Sequence, residues 1–438
     1  MSGMRVGVVG VGYVGLTTAV CLAERGAHVV AVEVDAAKVD SLNEGRPTVD
    51  EPGLRDILVD GLARRAVSFT TNDRFMADRE VVFVCVSTPE APDGSADLTA
   101  VEHVVDRLAN VLPPGAVVVI KSTVPVGTTR WLAELLQPNG IHVACAPEFL
   151  REGYAVHDFR HPDRIVLGVD EDVAAEIVGR CYGPLSSPLL RTNLESAELA
   201  KYASNAFLAV KSSYANSLAA LCDRTGADVL DVVRCMGADG RIGTDFLEPG
   251  PGWGGSCLPK DSAALLHTAR RHGVVLAEVE ACRRTNEAQG ARIADTLRRS
   301  VGRPLRDMRV TALGLTFKAH TSDTRDSPAL TVCSQLVSGG AHVQGYDPRL
   351  AAVDPGVLAA AGVSAVDDPY RATKAADAIV VLVEWPEFAE FDWYAIGEQS
   401  PGAVVVDTRN VLDGELVERA GLRYVGNGRR AFGTGGTG

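Results

Sequence analysis

Met4-Arg5-Val6-Gly7-Val8-Val9-Gly10-Val11-Gly12-Tyr13-Val14-Gly15 begins with a short apolar run and ends in three glycines at positions 10, 12 and 15. Arg5–Val9 has the continuous β-rich character of a strand covered on both faces. Gly15–Arg25, directly after it, has helical spacing. A strand that turns on glycines into a helix lets an anion approach the backbone and rest at the helix N-terminus. The glycine spacing alone is a weak signal; the strand before it and the helix after it supply the required context. The stretch predicts a doubly wound α/β domain with a dinucleotide at the glycine turn.

The same texture continues outward. His28–Val34, Val81–Val86, Ala116–Lys121 and His142–Ala146 read as further buried parallel strands, with helical stretches such as Thr99–Leu112 between them. From Thr192 to Cys222 the chain has no Gly or Pro and is rich in Ala, Leu and Ser. That reads as one long helix, suited to joining domains or packing on a partner. After Arg303-Pro304 a second α/β series begins, with strands expected at Arg309–Gly314, His342–Tyr346, Ala378–Val383, Ala403–Asp407 and Leu422–Val425. The expected fold is therefore α/β, with two Rossmann-like doubly wound parallel-sheet domains joined by a helical domain with a long central helix. The boundaries are 1–191 for the dinucleotide domain, 192–300 for the helical dimerisation domain and 301–427 for the second Rossmann-like domain. A glycine-rich tail, 428–438, is expected to be flexible. A chain of 438 residues is too long for a single core.

Composition narrows the class. Hydrophobic content of 46% with 5% aromatics is that of an ordinary soluble protein, and a net charge of −13 without a basic stripe argues against nucleic acid. No apolar run approaches the roughly 18 residues a membrane span needs. The first residues lead straight into a strand rather than a signal peptide. Nine cysteines, an odd number with no CxxC pair, read as reduced thiols of a cytoplasmic protein, and no metal-ligand spacing surrounds them. Cys21, Cys85, Cys145 and Cys333 lie in apolar segments and read as core residues.

Glu33 ends the second expected strand, 21 residues after Gly12. A carboxylate there bonds the adenosine ribose hydroxyls and repels a 2′-phosphate, which favours NAD over NADP. Asp35 competes for that role, and Lys38 either flanks the ribose or is solvated. Three later strand ends carry polar residues: Ser87 and Thr88, then Thr123, then Glu148 and Glu152. In an open parallel sheet such ends face the ligand crevice.

The chemistry concentrates further along. Lys201 and Asn205, spaced i, i+4, share a face of the long helix among Ala200, Ala203, Ala206 and Phe207. An ammonium and an amide on one apolar face suit an oxyanion. The loop Gly254-Gly255-Ser256-Cys257-Leu258-Pro259-Lys260-Asp261 offers a thiol behind two glycines, which remove shielding side chains, with Lys260 as a source of positive charge to favour the thiolate. A thiolate beside a hydride acceptor can carry an alcohol past the aldehyde to the acid. Lys318, Arg325, Arg409 and Arg241 singly read as surface charge; together they suit a pyrophosphate-bearing substrate.

In combination the cysteine loop, Lys121-Ser122-Thr123-Val124-Pro125-Val126-Gly127-Thr128 and Pro147-Glu148-Phe149-Leu150-Arg151-Glu152-Gly153 are highly specific. The chain resembles the UDP-glucose/GDP-mannose dehydrogenase family over residues 4 to 425. The resemblance implies that the C6 alcohol of a nucleotide sugar, UDP-glucose favoured, is oxidised to the carboxylate with two NAD⁺. It implies Cys257 as nucleophile, Lys201 and Asn205 as oxyanion stabilisers with Lys201 also a candidate base, and Thr123 and Asp261 as the pair that positions water. Glu152 is implied as the base for thioester hydrolysis, with Glu148 nearby. For NAD the implied contacts are Val11, Gly12, Tyr13, Val14, Glu33 and Lys38, then Ser87, Thr88, Thr123, Glu152, Lys260 and Arg325. For the sugar nucleotide they are Glu148, Phe149, Leu150, Lys201, Asn205 and Phe246, then Gly254, Cys257, Lys318 and Arg409. Arg241 is implied to reach the neighbouring subunit of a homodimer. Trp253 and Leu258 depart from residues usual in UDP-glucose enzymes, so GDP-mannose or another UDP-hexose stays open as substrate. Two other readings are a single-step dehydrogenase of the 6-phosphogluconate or 3-hydroxyacid kind, which has no use for Cys257, and a non-catalytic nucleotide sensor.

Overall fold

The computed structural model describes residues 3–183 and 187–429; most of the expected tail lies outside the described residues. By internal contacts the chain forms two units, Met1–Ser204 with Ala263–Val274, and Asn205–Ser262 with Val275–Gly438.

The first unit is built on eight strands: β1 (Arg5–Val9), β2 (His28–Val32), β3 (Val67–Thr70), β4 (Val81–Val84), β5 (Val117–Ile120), β6 (His142–Cys145), β7 (Ile165–Gly168) and β8 (Leu189–Thr192). Their order in the sheet is β3-β2-β1-β4-β5-β6-β7-β8. All pairs are parallel except β6 with β7. Right-handed crossovers through helices force a parallel sheet to be covered on both faces, and the packing shows it. Val81 and Phe83 of β4 join one apolar cluster, whereas Val82 and Val84 join another. β5 divides likewise, Val117 and Val119 against Val118 and Ile120. The order reverses at β1 and β4, so a crevice opens at their carboxyl ends, where the glycine turn follows β1.

The second unit repeats the device with six parallel strands, β9 (Arg309–Leu313), β10 (His342–Tyr346), β11 (Val363–Ala365), β12 (Ala378–Val381), β13 (Val404–Asp407) and β14 (Arg423–Gly426), in the order β11-β10-β9-β12-β13-β14. Between the sheets in sequence runs one unbroken helix, Leu194–Thr225, of 32 residues. It extends the expected Thr192–Cys222 span by three residues at its end. No helix among the described residues is long and apolar enough to cross a membrane.

Candidate active site

The glycine turn has the geometry of an anion cradle. Gly10 has φ +89°, and a Cβ there would sit 2.9 Å from the Cys85 carbonyl oxygen. A Cβ on Gly15 would come within 1.8 Å of the Gly10 carbonyl oxygen, so the helix can approach the strand only without a side chain there. Around Gly12 the space is open to at least 4 Å. The helix that follows, Tyr13–Glu24, has neither a side-chain cap nor an acidic residue in its first turn. Its N–H donors are left for a pyrophosphate, and the residues fit a dinucleotide. Glu33 stands at the base of the loop, its Oε2 accepting from the Val11 amide at 3.0 Å and its Oε1 from the Val34 amide at 2.8 Å. Asp35, the competing acid, instead caps the helix Ala36–Asn43 through the Ala37 and Lys38 amides. Lys38 is half-buried in that helix's first turn. After β4, Ser87 is exposed, while the Thr88 hydroxyl donates to the Thr123 carbonyl at 2.8 Å and so joins two of the three expected strand ends.

The third strand end carries a buried ion pair. Lys201 Nζ lies 3.0 Å from Glu148 Oε1, and both residues are buried. The second oxygen of Glu148 accepts from the Leu150 amide at 2.6 Å. Burial alone would push this carboxyl up, but the Lys201 charge and hydrogen bond, with the Leu150 amide and Lys121, hold it below its ordinary value. Phe149 presents its ring to two cations, Arg164 at 3.9 Å and Lys201 at 5.4 Å. The turn is pinned by Arg151, whose amide and guanidinium both bond Asp158. Glu152 is half-buried within it.

In the second unit the cysteine loop runs into a helix, Leu258–Arg271. The Asp261 amide donates to the Cys257 carbonyl at 2.9 Å, so Cys257 stands at the head of that helix, exposed, with the Ser256 hydroxyl 3.6 Å from its sulfur. A helix N-terminus favours a thiolate. The sequence reading assigned this task to Lys260; in the structure Lys260 pairs with Asp261 at 2.6 Å. The signal for the helix start was Pro259, a residue at home in a helix's first turn. The role expected of the glycines also needs correction. A Cβ on Gly254 would collide with the Asp326 carbonyl oxygen at 1.9 Å, and one on Gly255 with the Phe317 ring at 2.7 Å. The Gly255 amide donates to the Arg325 carbonyl at 3.0 Å. The glycines thus let the loop lie against the 317–326 segment rather than uncover the sulfur.

Asn205 Nδ2 donates to Asp261 Oδ2 at 2.6 Å, both buried. Arg409 Nε lies 3.1 Å from Glu384, and Gly250 leaves room for its guanidinium, since a Cβ there would meet Nη1 at 2.7 Å. Lys318 sits over the Phe317 ring at 5.6 Å. Arg325 pairs with Asp323, and Arg241 with Asp239. Phe246 has φ +63°, a strained conformation for an aromatic residue and typical of functional loops.

Glu198 and Glu51 are among the buried carboxylates that the sequence reading passed over. Glu198 is 2% exposed and accepts from the Gly127 and Thr129 amides, each at 2.6 Å. Its position one turn before Lys201 on a Gly- and Pro-free helix was the available clue. Glu51, 7% exposed, accepts from the Tyr13 hydroxyl and the Gly153 amide. Lying before Pro52-Gly53, it reads in sequence as a surface turn.

Three consecutive domains of one family match the chain. The NAD binding domain of the UDP-glucose/GDP-mannose dehydrogenase family matches residues 4–186, its central domain residues 195–288 and its UDP binding domain residues 311–414. A UDP-glucose 6-dehydrogenase of Rhizobium meliloti is 40% identical over 437 residues, covering 97% of this chain and 100% of that protein. UDP-glucose 6-dehydrogenase TuaD of Bacillus subtilis is 39% identical, covering 98% and 94%. The solved structure of a UDP-glucose dehydrogenase from Pyrobaculum islandicum superposes with a TM-score of 0.89 at 35% identity, over 98% of each chain. With its glycine cradle, its cysteine loop and all three domains matched in order, the chain belongs to the UDP-glucose/GDP-mannose dehydrogenase family and is an NAD-dependent oxidoreductase.

Proposed function

We propose that this enzyme oxidises the C6 alcohol of UDP-glucose to the carboxylate through a covalent intermediate on Cys257. The observation that carries the covalent step is the setting of that thiol. Seven of the nine cysteines are buried, and Cys257 is one of two exposed. Burial pushes the thiols of Cys21, Cys85 and Cys333 up to about 12, so they stay protonated and inert at neutral pH. Cys257 is in addition seated at a helix head.

Bound at the glycine turn, NAD⁺ supplies the hydride acceptor, once for each of two oxidations. The first oxidation takes a hydride from C6 and the proton from the C6 hydroxyl, which passes to solvent, and leaves an aldehyde. The Cys257 thiolate adds to its carbonyl carbon; a C–S bond forms and negative charge moves to oxygen. We assign Lys201 and Asn205 to that oxyanion, because an ammonium paired with a buried carboxylate suits electrostatic stabilisation better than proton abstraction. Loss of a second hydride from the same carbon gives a thioester. Water then adds with Glu152 as base, the C–S bond breaks, and carboxylate and thiolate are released. Thr123 and Asp261 keep the water-holding roles the resemblance gives them. Lys318 and Arg409 carry positive charge suited to the UDP pyrophosphate.

The preference for UDP-glucose rests on the relatives bearing that name. We further infer a cytoplasmic homodimer. Nine free thiols fit a reducing compartment. Phe207, Tyr214 and Leu221, seven residues apart on the long helix, are 63%, 52% and 56% exposed, an apolar stripe suited to a second copy.

The test is to offer UDP-glucose, UDP-galactose, UDP-N-acetylglucosamine and GDP-mannose side by side and follow NADH. UDP-glucose should give the highest kcat/KM and two NADH per sugar. A ratio of one removes the covalent route in favour of a single-step dehydrogenase. Cys257→Ala should lower acid formation by at least about a thousandfold; normal acid output from that variant excludes the thioester.

A further inference from the structure

Glu51 belongs to none of the roles assigned above, yet its carboxylate joins two segments that do. The Tyr13 hydroxyl donates to Oε2 at 2.5 Å, and the Gly153 amide donates to the same oxygen at 2.9 Å. The Val156 amide reaches Oε1 at 3.4 Å. The Tyr13 hydroxyl also lies 2.9 Å from the Arg151 carbonyl. Tyr13 is the first residue of the helix that leaves the glycine cradle, and Arg151 and Gly153 flank Glu152 in the turn after β6. One buried carboxylate therefore bonds the cofactor loop and the turn that bears the proposed hydrolytic base.

Glu51 is itself firmly held. Gly53, at φ +76°, starts the helix Leu54–Ala63, whose Leu54, Ile57 and Leu58 are buried in the core of the first unit. All three donors to Glu51 come from the start of the Tyr13–Glu24 helix and from the Gly153–Val156 stretch, none from the helix that follows Glu51. Burial and the neighbouring carboxylate push the Tyr13 phenol far above its ordinary range, so it remains a donor. Hydrogen bonds to a charged, water-excluded carboxylate are among the stronger ones.

We propose that Glu51 is a positioning residue that couples the two loops, so that NAD⁺ seated on the glycine turn orders the Arg151–Val156 turn. This rests on the reading of Tyr13 and Glu152 given above. It makes Glu51 a link between cofactor occupancy and the readiness of the hydrolytic turn.

Hydrogen–deuterium exchange on the intact enzyme, with and without NAD⁺, tests the link, alongside a fluorescence titration of NAD⁺. In the parent, NAD⁺ should slow exchange across residues 151–156 by at least about fivefold. Tyr13→Phe, which removes a single oxygen, should lose that protection even at NAD⁺ concentrations that the titration shows to be saturating for it. Glu51→Gln should speed exchange at Gly153 even without cofactor, and should raise KM for NAD⁺ at least about fivefold while kcat changes less. Glu51→Asp should recover part of the loss. Protection of the turn that survives in Tyr13→Phe overturns the proposal, as does a Glu51→Gln enzyme changed only in melting temperature. Failure of the parent to bind NAD⁺ overturns the coupling and the cofactor reading together, and the titration identifies that case. Should Glu51→Gln not fold, Tyr13→Phe decides alone.

Discussion

Glu148 and Lys201 are 8% and 4% exposed, and Lys201 is the main charge that offsets the burial of Glu148. Replacing one member of such a pair strands the other as an uncompensated buried charge, a loss of about 3–5 kcal/mol, whereas replacing both is far milder. Lys201→Met should therefore destabilise the enzyme strongly, and adding Glu148→Gln should restore much of the stability. Activity should stay at least about a hundredfold down in both, because the oxyanion loses its cation. The pH dependence has a definite sign. The Glu148 carboxyl lies below its ordinary value of 4.5, so its contribution to stability is present above that value and is lost as pH falls through the folded one. The gap in urea stability between parent and Lys201→Met should be widest near pH 7 and shrink below about 4.5. An unchanged gap across that range means the pair is not what holds Glu148 ionised. Sequence reading placed both residues at the site but not against each other, since 53 positions separate them. The composition of the long helix showed only that Lys201 shares an apolar face with Asn205.

The element that follows β5, the helix Thr128–Leu136, lacks a cap of its own because its N-cap is Gly127, at φ +93°. The long helix supplies one: Glu198 takes the Gly127 and Thr129 amides, and Glu195, one turn earlier, bonds Arg130 at 2.9 Å. Lys201 on Glu148 completes a run of three contacts at i, i+3, i+6, which holds the long helix to the ends of β5 and β6. Glu198→Gln keeps one acceptor and should cost about 1–2 kcal/mol. Its titration runs opposite to that of Glu148. Burial, against the pull of the two amides, raises the Glu198 carboxyl above 4.5. Its proton is held more tightly in the folded chain, so the contribution to stability is full below 4.5 and fades as pH climbs through the folded value. Parent and Glu198→Gln should thus differ most in urea unfolding near pH 4.5 and less at pH 7; a gap that grows with pH sinks this account. Such long-range caps are not legible in sequence, whereas the strands they brace were. β1 and β10 were bounded to the residue, and most of the others to within two residues, because buried parallel strands are continuous apolar runs. Four strands escaped notice. β3, β8 and β11 are the edges of their sheets, and β8 is largely exposed, so no unbroken apolar run marks them. β7 is a buried apolar run no shorter than β4 or β5, and the sequence reading passed over it.

At the scale of the whole molecule, the groups assigned to catalysis are divided between the two units: Thr123, Glu148, Glu152 and Lys201 in the first, Asn205, Cys257 and Asp261 in the second. The proposed homodimer adds a third source, Arg241, whose side chain is 89% exposed and pairs with its near neighbour Asp239. An arginine that serves its own site and one that serves the neighbouring copy make opposite predictions when two defective enzymes are mixed. Take Arg241→Ala, which keeps its thiol, and Cys257→Ala, which keeps its arginine. Each homodimer should be impaired, the first chiefly in KM for the nucleotide sugar and the second in turnover. After subunit exchange in mild denaturant and refolding, a mixed dimer holds one site in which an intact Cys257 meets an intact Arg241 from the other copy. If Arg241 acts across the dimer, activity should rise toward one quarter of the parent value for an equimolar random mixture, since about half the dimers are mixed and each has one whole site. If it acts within its own chain, no combination yields a whole site and mixing recovers nothing. Phe207→Glu with Leu221→Glu supplies the control, because charge on the apolar stripe should yield monomers by sedimentation and abolish the recovery. Recovery that persists in monomers would separate Arg241 from dimerisation altogether.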